Sequence, residues 1–179
     1  TKIYDGGILA NYPVVMGHEG VGEIIEGQAA DGSGPGNRVI IDPVLYCGNC
    51  FYCARGDTHL CENGGMLGRE VDGVYTENYL APAGNVFALG DNINMTEGPL
   101  IQVMTTVLHA QNRANIQADE VVVVLGLGVT GLLQIQVAKA LGAKAVVGVS
   151  RNAHKRGLAE QMGADCVVEH GEAAKVAVL

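Results

Sequence analysis

Four cysteines fall between positions 47 and 61: Cys47, Cys50, Cys53 and Cys61, in the spacing C-x2-C-x2-C-x7-C. Glycine and polar turn residues surround them: Gly48, Asn49, Arg55, Gly56, Asp57 and Thr58. Four thiolates on one short loop can close a tetrahedron around a single Zn²⁺. Such a site has no open coordination position, so it holds a loop rather than doing chemistry. The alternatives are a pair of disulfides or four unrelated core cysteines. We expect zinc, because no secretory leader precedes the cluster and the chain otherwise reads as a reducing-compartment enzyme.

A chain of 179 residues accommodates one domain or two small ones, with ample apolar content for a core. The net charge of −8 argues against nucleic acid or an anionic membrane surface as partner. Every long apolar run is interrupted by glycine before it reaches membrane-spanning length. The chain has 26 glycines against two Phe, six Tyr and no Trp, which suits tight turns and close backbone approach to a ligand. The fifth cysteine, Cys166, sits in Ala-Asp-Cys-Val-Val and is expected to be a buried strand residue. These features together lead us to expect a soluble, cytoplasmic α/β protein.

The chain changes its pattern near residue 98. Before it, turn signals recur every few residues and separate short β-branched runs at 21–25, 38–42, 73–80 and 85–88. This predicts an irregular β lobe, with the cysteine segment as an excursion over about residues 42–66. After it, Leu100, Val103, Met104, Val107 and Leu108 recur at helical spacing and predict a helix over 99–112. The unbroken run 121–125 predicts a parallel strand buried on both faces. A helix over 128–141 should pack Leu132, Leu133, Ile135, Gln136 and Val137 toward a sheet. A strand at 145–149, a helix at 152–162 and a strand at 166–168 complete β-α-β-α-β, the start of a doubly wound sheet. The expected domains are therefore 1–98 and 99–179.

Gly126-Leu-Gly128-Val129-Thr130-Gly131 is G-x-G-x-x-G, directly after a strand and opening a helix. Gly126 permits the tight turn, Gly128 lacks a Cβ that would hold off a pyrophosphate, and Gly131 lets the helix pack closely on the strand. The helix amino terminus then presents N–H groups to phosphates. This context predicts dinucleotide binding. At the end of the second strand, Val149-Ser150-Arg151 has no carboxylate to accept from an adenosine ribose. Ser150 can donate to a 2′-phosphate and Arg151 can pair with it, with Lys155 and Arg156 one turn on, so NADP is expected over NAD.

Gly17-His18-Glu19-Gly20-Val21-Gly22, the cysteine loop and the GLGVTG turn occur in that order. In this the chain resembles the zinc-containing medium-chain alcohol dehydrogenases, which include polyol and threonine dehydrogenases. The resemblance implies an α/β protein with a β-rich, GroES-like catalytic domain carrying a structural-zinc lobe, followed by a partial Rossmann sheet. It makes His18 a ligand of a catalytic zinc, Glu19 a carboxylate beside that zinc, and Thr106 a hydroxyl near the nicotinamide. Counting back seven residues from His109 puts Gln102 where the family places an anionic third ligand; a neutral Gln should bind metal more weakly.

The family's first ligand is a Cys expected just upstream of Thr1, and its members are roughly twice this long, so the sequence reads as a fragment. The implied reaction is reversible oxidation of an alcohol to a carbonyl, with a nicotinamide as hydride carrier, in a homodimer or tetramer. The alternatives are a zinc-independent quinone or enoyl reductase and a non-catalytic fragment that binds zinc and nucleotide.

Overall fold

The computed structural model describes residues 2–171. The chain divides into two compact units, Thr1–Gln102 and Val103–Leu179.

In the first unit β1 (Gly20–Glu23) pairs antiparallel with β2 (Arg38–Ile41), with Val21 opposite Ile40. β3 (Val44–Leu45) and β4 (Gly65–Met66) form a separate antiparallel ladder, and between them lie the cysteine segment and its one-turn helix α1 (Phe51–Ala54). β5 (Val86–Ala88) returns to the free side of β2, giving the order β1-β2-β5. Ala29, Val39 and Val86 are buried together, with Ile24 and Ala81 packed against them. So small an apolar cluster leaves much of the fixing to polar contacts. Asn85 is one of them: it is buried, and its Nδ2 donates to the carbonyls of Asp42 (3.0 Å) and Val44 (2.9 Å), tying the end of β2 to the start of β3.

The run at 73–80, expected as a strand, forms none. The N–H groups of Gly73, Tyr75 and Val74 donate to the carbonyls of Val15, Met16 and Gly17. The chain then bends where Thr76 Oγ1 donates to the carbonyl of Asn78 at 3.1 Å. This local side-chain bond competes with continuation of a ladder.

α2 (Pro99–Ala114) runs two residues beyond the expected end at 112. Proline at its first position suits a helix start, where the missing N–H would have had no intrahelical partner. In the second unit β6 (Val121–Leu125), α3 (Val129–Ala140), β7 (Ala145–Val149), α4 (Ala153–Gln161) and β8 (Cys166–Val168) alternate. The strands are parallel in the order β6-β7-β8, with Val123 opposite Val147 and Val147 opposite Cys166. Asn152 caps α4, its side chain accepting from Lys155 N.

The core of this unit is Val124, Leu127, Ile135, Ala138, Ala143, Val146 and Ala159. A second cluster joins Leu133 and Val137 of α3 to Val107 of α2. α3 is thus buried on two sides, as its nearly continuous apolar sequence requires.

Three burial expectations fail. β6 is not covered on both faces: Val121 is 53% exposed and Leu125 77%, while Val122 and Val124 on the other face pack on the core. Gln136 does not pack on the sheet; it is exposed, its Nε2 donating to the Leu132 carbonyl at 3.3 Å. Cys166 is exposed as well. Successive side chains alternate across a strand, and it is Val167 that packs on the core. No helix among the described residues is long and apolar enough to cross a membrane.

Candidate functional site

The β3–β4 ladder closes the base of the cysteine excursion and brings its two ends together. Cys50 caps α1, Cys53 lies within it, and Cys61 follows a short helical turn over Thr58–Leu60. The four sulfurs lie within 4.8 Å of one another. Cys61 Sγ is 3.5 Å from Cys47 Sγ and 3.9 Å from Cys50 Sγ, too far for disulfides. A tetrahedral zinc with sulfur at about 2.3 Å requires sulfurs about 3.8 Å apart, so this donor set fits the ion.

The thiols are also unequal. The Cys53 N–H, aided by that of Glu62, draws Cys50 down to about 6. Burial, with Cys50 beside it, pushes Cys53 up to about 12. Cys47, drawn down by the Asn49 N–H, and Cys50 favour the thiolate while Cys53 resists it, and a bound dication would favour the thiolate at every one of the four.

His18 and Glu19 sit on a turn fixed from outside by the segment 68–75. Val15 N donates to Asp72 Oδ1 at 2.8 Å, and Val74 N donates to the Gly17 carbonyl at 3.1 Å. Gly17 has φ +101°, and a Cβ there would lie 2.5 Å from the Tyr75 ring. A Cβ on Gly68 would lie 2.6 Å from Gly17 N, and one on Gly73 would collide with the Gly17 carbonyl. The turn therefore depends on glycine from both sides.

His18 Nε2 is 4.0 Å from Glu19 Oε1, with both side chains about half exposed. Glu19 also lines a 680 Å³ cleft with Val21, Tyr75 and Tyr79. Among the described residues, the cysteine group is the only gathering of three or more His, Cys, Asp or Glu donors, so no third donor of these types joins His18 and Glu19. Gln102 is half-buried on α2, and Thr106 is exposed one turn further along.

In the second unit Gly126 takes φ +95° at the end of β6, its N–H donating to the Val149 carbonyl of β7 at 2.9 Å. A Cβ on Gly126 or Gly128 would meet nothing within 4 Å, so both open on free space. A Cβ on Gly131 would collide with the Gly126 carbonyl. Gly128 caps α3 without a side-chain hydrogen bond, leaving the N–H groups of the first turn, around Val129 and Thr130, for an anion. This open, glycine-walled helix start fits a dinucleotide pyrophosphate. At the end of β7, Ser150 is partly buried while Arg151 and Lys155 are exposed.

The profile of the alcohol dehydrogenase GroES-like domain matches residues 1–91, more than half of the chain. The chain belongs to the zinc-type alcohol dehydrogenase family. A second family profile, zinc-binding dehydrogenase, matches residues 129–178. As in other members, a GroES-like domain precedes a Rossmann-type α/β unit.

L-threonine 3-dehydrogenase of Pyrococcus furiosus is 37% identical over 161 residues, covering 87% of this chain and 45% of that enzyme. Galactitol 1-phosphate 5-dehydrogenase of Escherichia coli K12 is 36% identical over 154 residues, covering 86% and 44%. Among solved structures, a zinc-binding dehydrogenase from Sinorhizobium meliloti 1021 bound to NADP superposes with a TM-score of 0.91 at 32% identity, covering 97% of this chain and 52% of that one. An E. coli CFT073 alcohol dehydrogenase complexed with NADH gives 0.85 at 28% identity, covering 96% and 51%. The chain spans about half the length of the curated relatives it matches.

Sequence reasoning did not foresee Asp72, Gly68 and Gly73 as the fixings of the His18 turn. The only signal was Gly68-Arg-Glu-Val-Asp72-Gly73, which by itself reads as an ordinary loop.

Proposed function

We propose that the complete protein is a zinc-dependent oxidoreductase that moves a hydride between NADP and a small alcohol or carbonyl substrate. The observation that carries this reading is the glycine turn at 126–131, open where a pyrophosphate must approach and closed where helix meets strand. Nicotinamide supplies the hydride chemistry, and a zinc at His18 would supply Lewis acidity toward the substrate oxygen.

The chain's own residues do the rest. Cys47, Cys50, Cys53 and Cys61 hold a structural zinc and fix the lobe between β3 and β4. Gly126, Gly128, Val129, Thr130 and Gly131 bring backbone N–H groups to the pyrophosphate. Ser150, Arg151 and Lys155 meet the adenosine 2′-phosphate. His18 offers a ring nitrogen, Glu19 a carboxylate beside it, and Thr106 a hydroxyl for the nicotinamide side. Gln102 is offered as a neutral third ligand.

A second reading is a zinc-independent reductase, with the neutral Gln102 marking a lost catalytic metal. Metal content separates the two, at two zincs per chain for the first and one for the second. For the cofactor, the affinities of the complete protein for NADP and NAD decide. We expect NADP to bind more tightly, and Ser150→Asp with Arg151→Ile to reverse the order; tighter NAD binding by the unmodified protein refutes the assignment. Family membership also supports a cytoplasmic homo-oligomer, dimer or tetramer, which light scattering of the purified protein and its localisation in cells test.

A further inference from the structure

Resting on the NADP reading, we propose that Arg156 is a positioning residue for cofactor choice: it holds the Ser150 turn in the pose that meets a 2′-phosphate and does not meet the phosphate itself. Three basic side chains follow β7 in quick succession, and the structure divides them. Arg151 and Lys155 are exposed. Arg156 is turned inward, with its side chain 20% exposed. Its Nη1 donates to the Ser150 carbonyl at 2.6 Å, and its Nη2 lies 3.6 Å from Glu169 Oε2, just past the end of β8. Both contacts direct its guanidinium at the protein.

Ser150 is fixed at every other polar atom as well. Its N–H donates to the Val168 carbonyl at 3.1 Å, and its Oγ accepts from Asn152 N at 3.2 Å. A hydroxyl whose lone pair is taken by an N–H has its proton left to donate. A phosphate oxygen is the acceptor such a proton seeks, so the turn is set as a donor. Asn152 is itself anchored, because its Oδ1 accepts from Lys155 N at 3.1 Å. The hydroxyl direction therefore depends on the path from Ser150 to Asn152, and the Arg156 guanidinium grips the carbonyl in the middle of that path.

The test is the ratio of NADP to NAD affinity in the complete protein, by calorimetric titration at low and high ionic strength. Arg156→Met should lower the ratio roughly tenfold, the size of one charge-assisted hydrogen bond, mainly through weaker NADP binding. Arg156→Lys should recover part of the loss, since an ammonium can donate to the Ser150 carbonyl but lacks the planar fork. The deficit should persist at high ionic strength, because it comes from geometry and not from charge near the phosphate.

An unchanged ratio in Arg156→Met overturns the inference. So does full recovery in Arg156→Lys together with a deficit that vanishes in salt, the signature of direct phosphate contact. If Arg156→Met fails to fold, Arg156→Lys carries the test, and a ratio equal to that of the unmodified protein overturns the inference. An unmodified protein that does not prefer NADP overturns the cofactor reading and this inference with it. A preference for NADP that ignores Arg156 overturns the inference alone.

Discussion

The two units solve the problem of ordering a loop in different ways. In the first, the cysteine segment and the His18 turn are fixed by sulfur gathering, glycine approach and backbone bonds around a small apolar cluster of Ala29, Val39 and Val86. In the second, the Gly126 turn is the seam between a strand and a helix that are themselves buried on Val124, Ile135, Ala138 and Val146. The first arrangement should fail locally when a ligand or a close approach is removed. The second should fail as a block when its core is cut.

The largest expected effect is loss of the lobe's metal. Chelation, or Cys53→Ser, should remove one zinc per chain and leave amides 44–66 without exchange protection, while β6, β7 and β8 keep theirs. Structural zinc contributes about 10 kcal/mol or more to the order of such a segment. Equal loss of protection in both units would erase the contrast.

Ile135→Ala is the reciprocal cut. This side chain is fully buried, and its truncation should cost about 2–5 kcal/mol, seen as earlier unfolding of the second unit by exchange or calorimetry. The zinc content of the lobe should not change.

Gly73→Ala sharpens the comparison within the first unit. Its Cβ would collide with the Gly17 carbonyl, so we expect a loss of about 1–3 kcal/mol and a shifted His18 ring resonance by NMR. A silent substitution would mean that the turn is not held by glycine.

Much of the second unit was legible in the sequence, because a β-branched run such as 145–149 and a helical period such as that of α2 are local signals. Burial was not. The run 121–125 is apolar throughout, yet how deeply each face is covered depends on what packs on it, and it is Val122 and Val124 that meet the core. In the first unit the cysteine spacing is readable because four residues so close in sequence share one neighbourhood. The approach of Gly68 and Gly73 to Gly17 spans some fifty residues and leaves no periodic trace, so the scaffold of the His18 turn was invisible. The strand expected at 73–80 failed for a related reason: its N–H groups found partners at 15–17, which composition does not announce.

The smallest effect concerns the carboxylate between α3 and the sheet. Lys139 Nζ lies 2.9 Å from Asp165 Oδ1, and Val146 N donates to Oδ2 at 2.7 Å; together they hold this carboxyl below its ordinary range. A depressed folded value means a contribution that is complete above the unfolded value of about 3.9 and lost as pH falls through the folded one. Asp165→Asn should therefore destabilise the second unit at neutral pH, and the difference from the unmodified protein should fade below about pH 4. The side chain is 42% exposed, so the effect should stay below about 1 kcal/mol. A larger loss in calorimetry would show that the sheet leans on this ion pair more than on its core.

The exposed face of β6 also bears on how copies of the chain behave in solution. Val121 and Leu125 stand on that face as exposed apolar side chains, the kind of surface on which separate molecules can associate. At pH 7 the formal charge of −8 keeps the copies apart. Near the isoelectric point of about 5.0 that mutual repulsion disappears, and exposed apolar side chains such as Leu125 can then bring copies together.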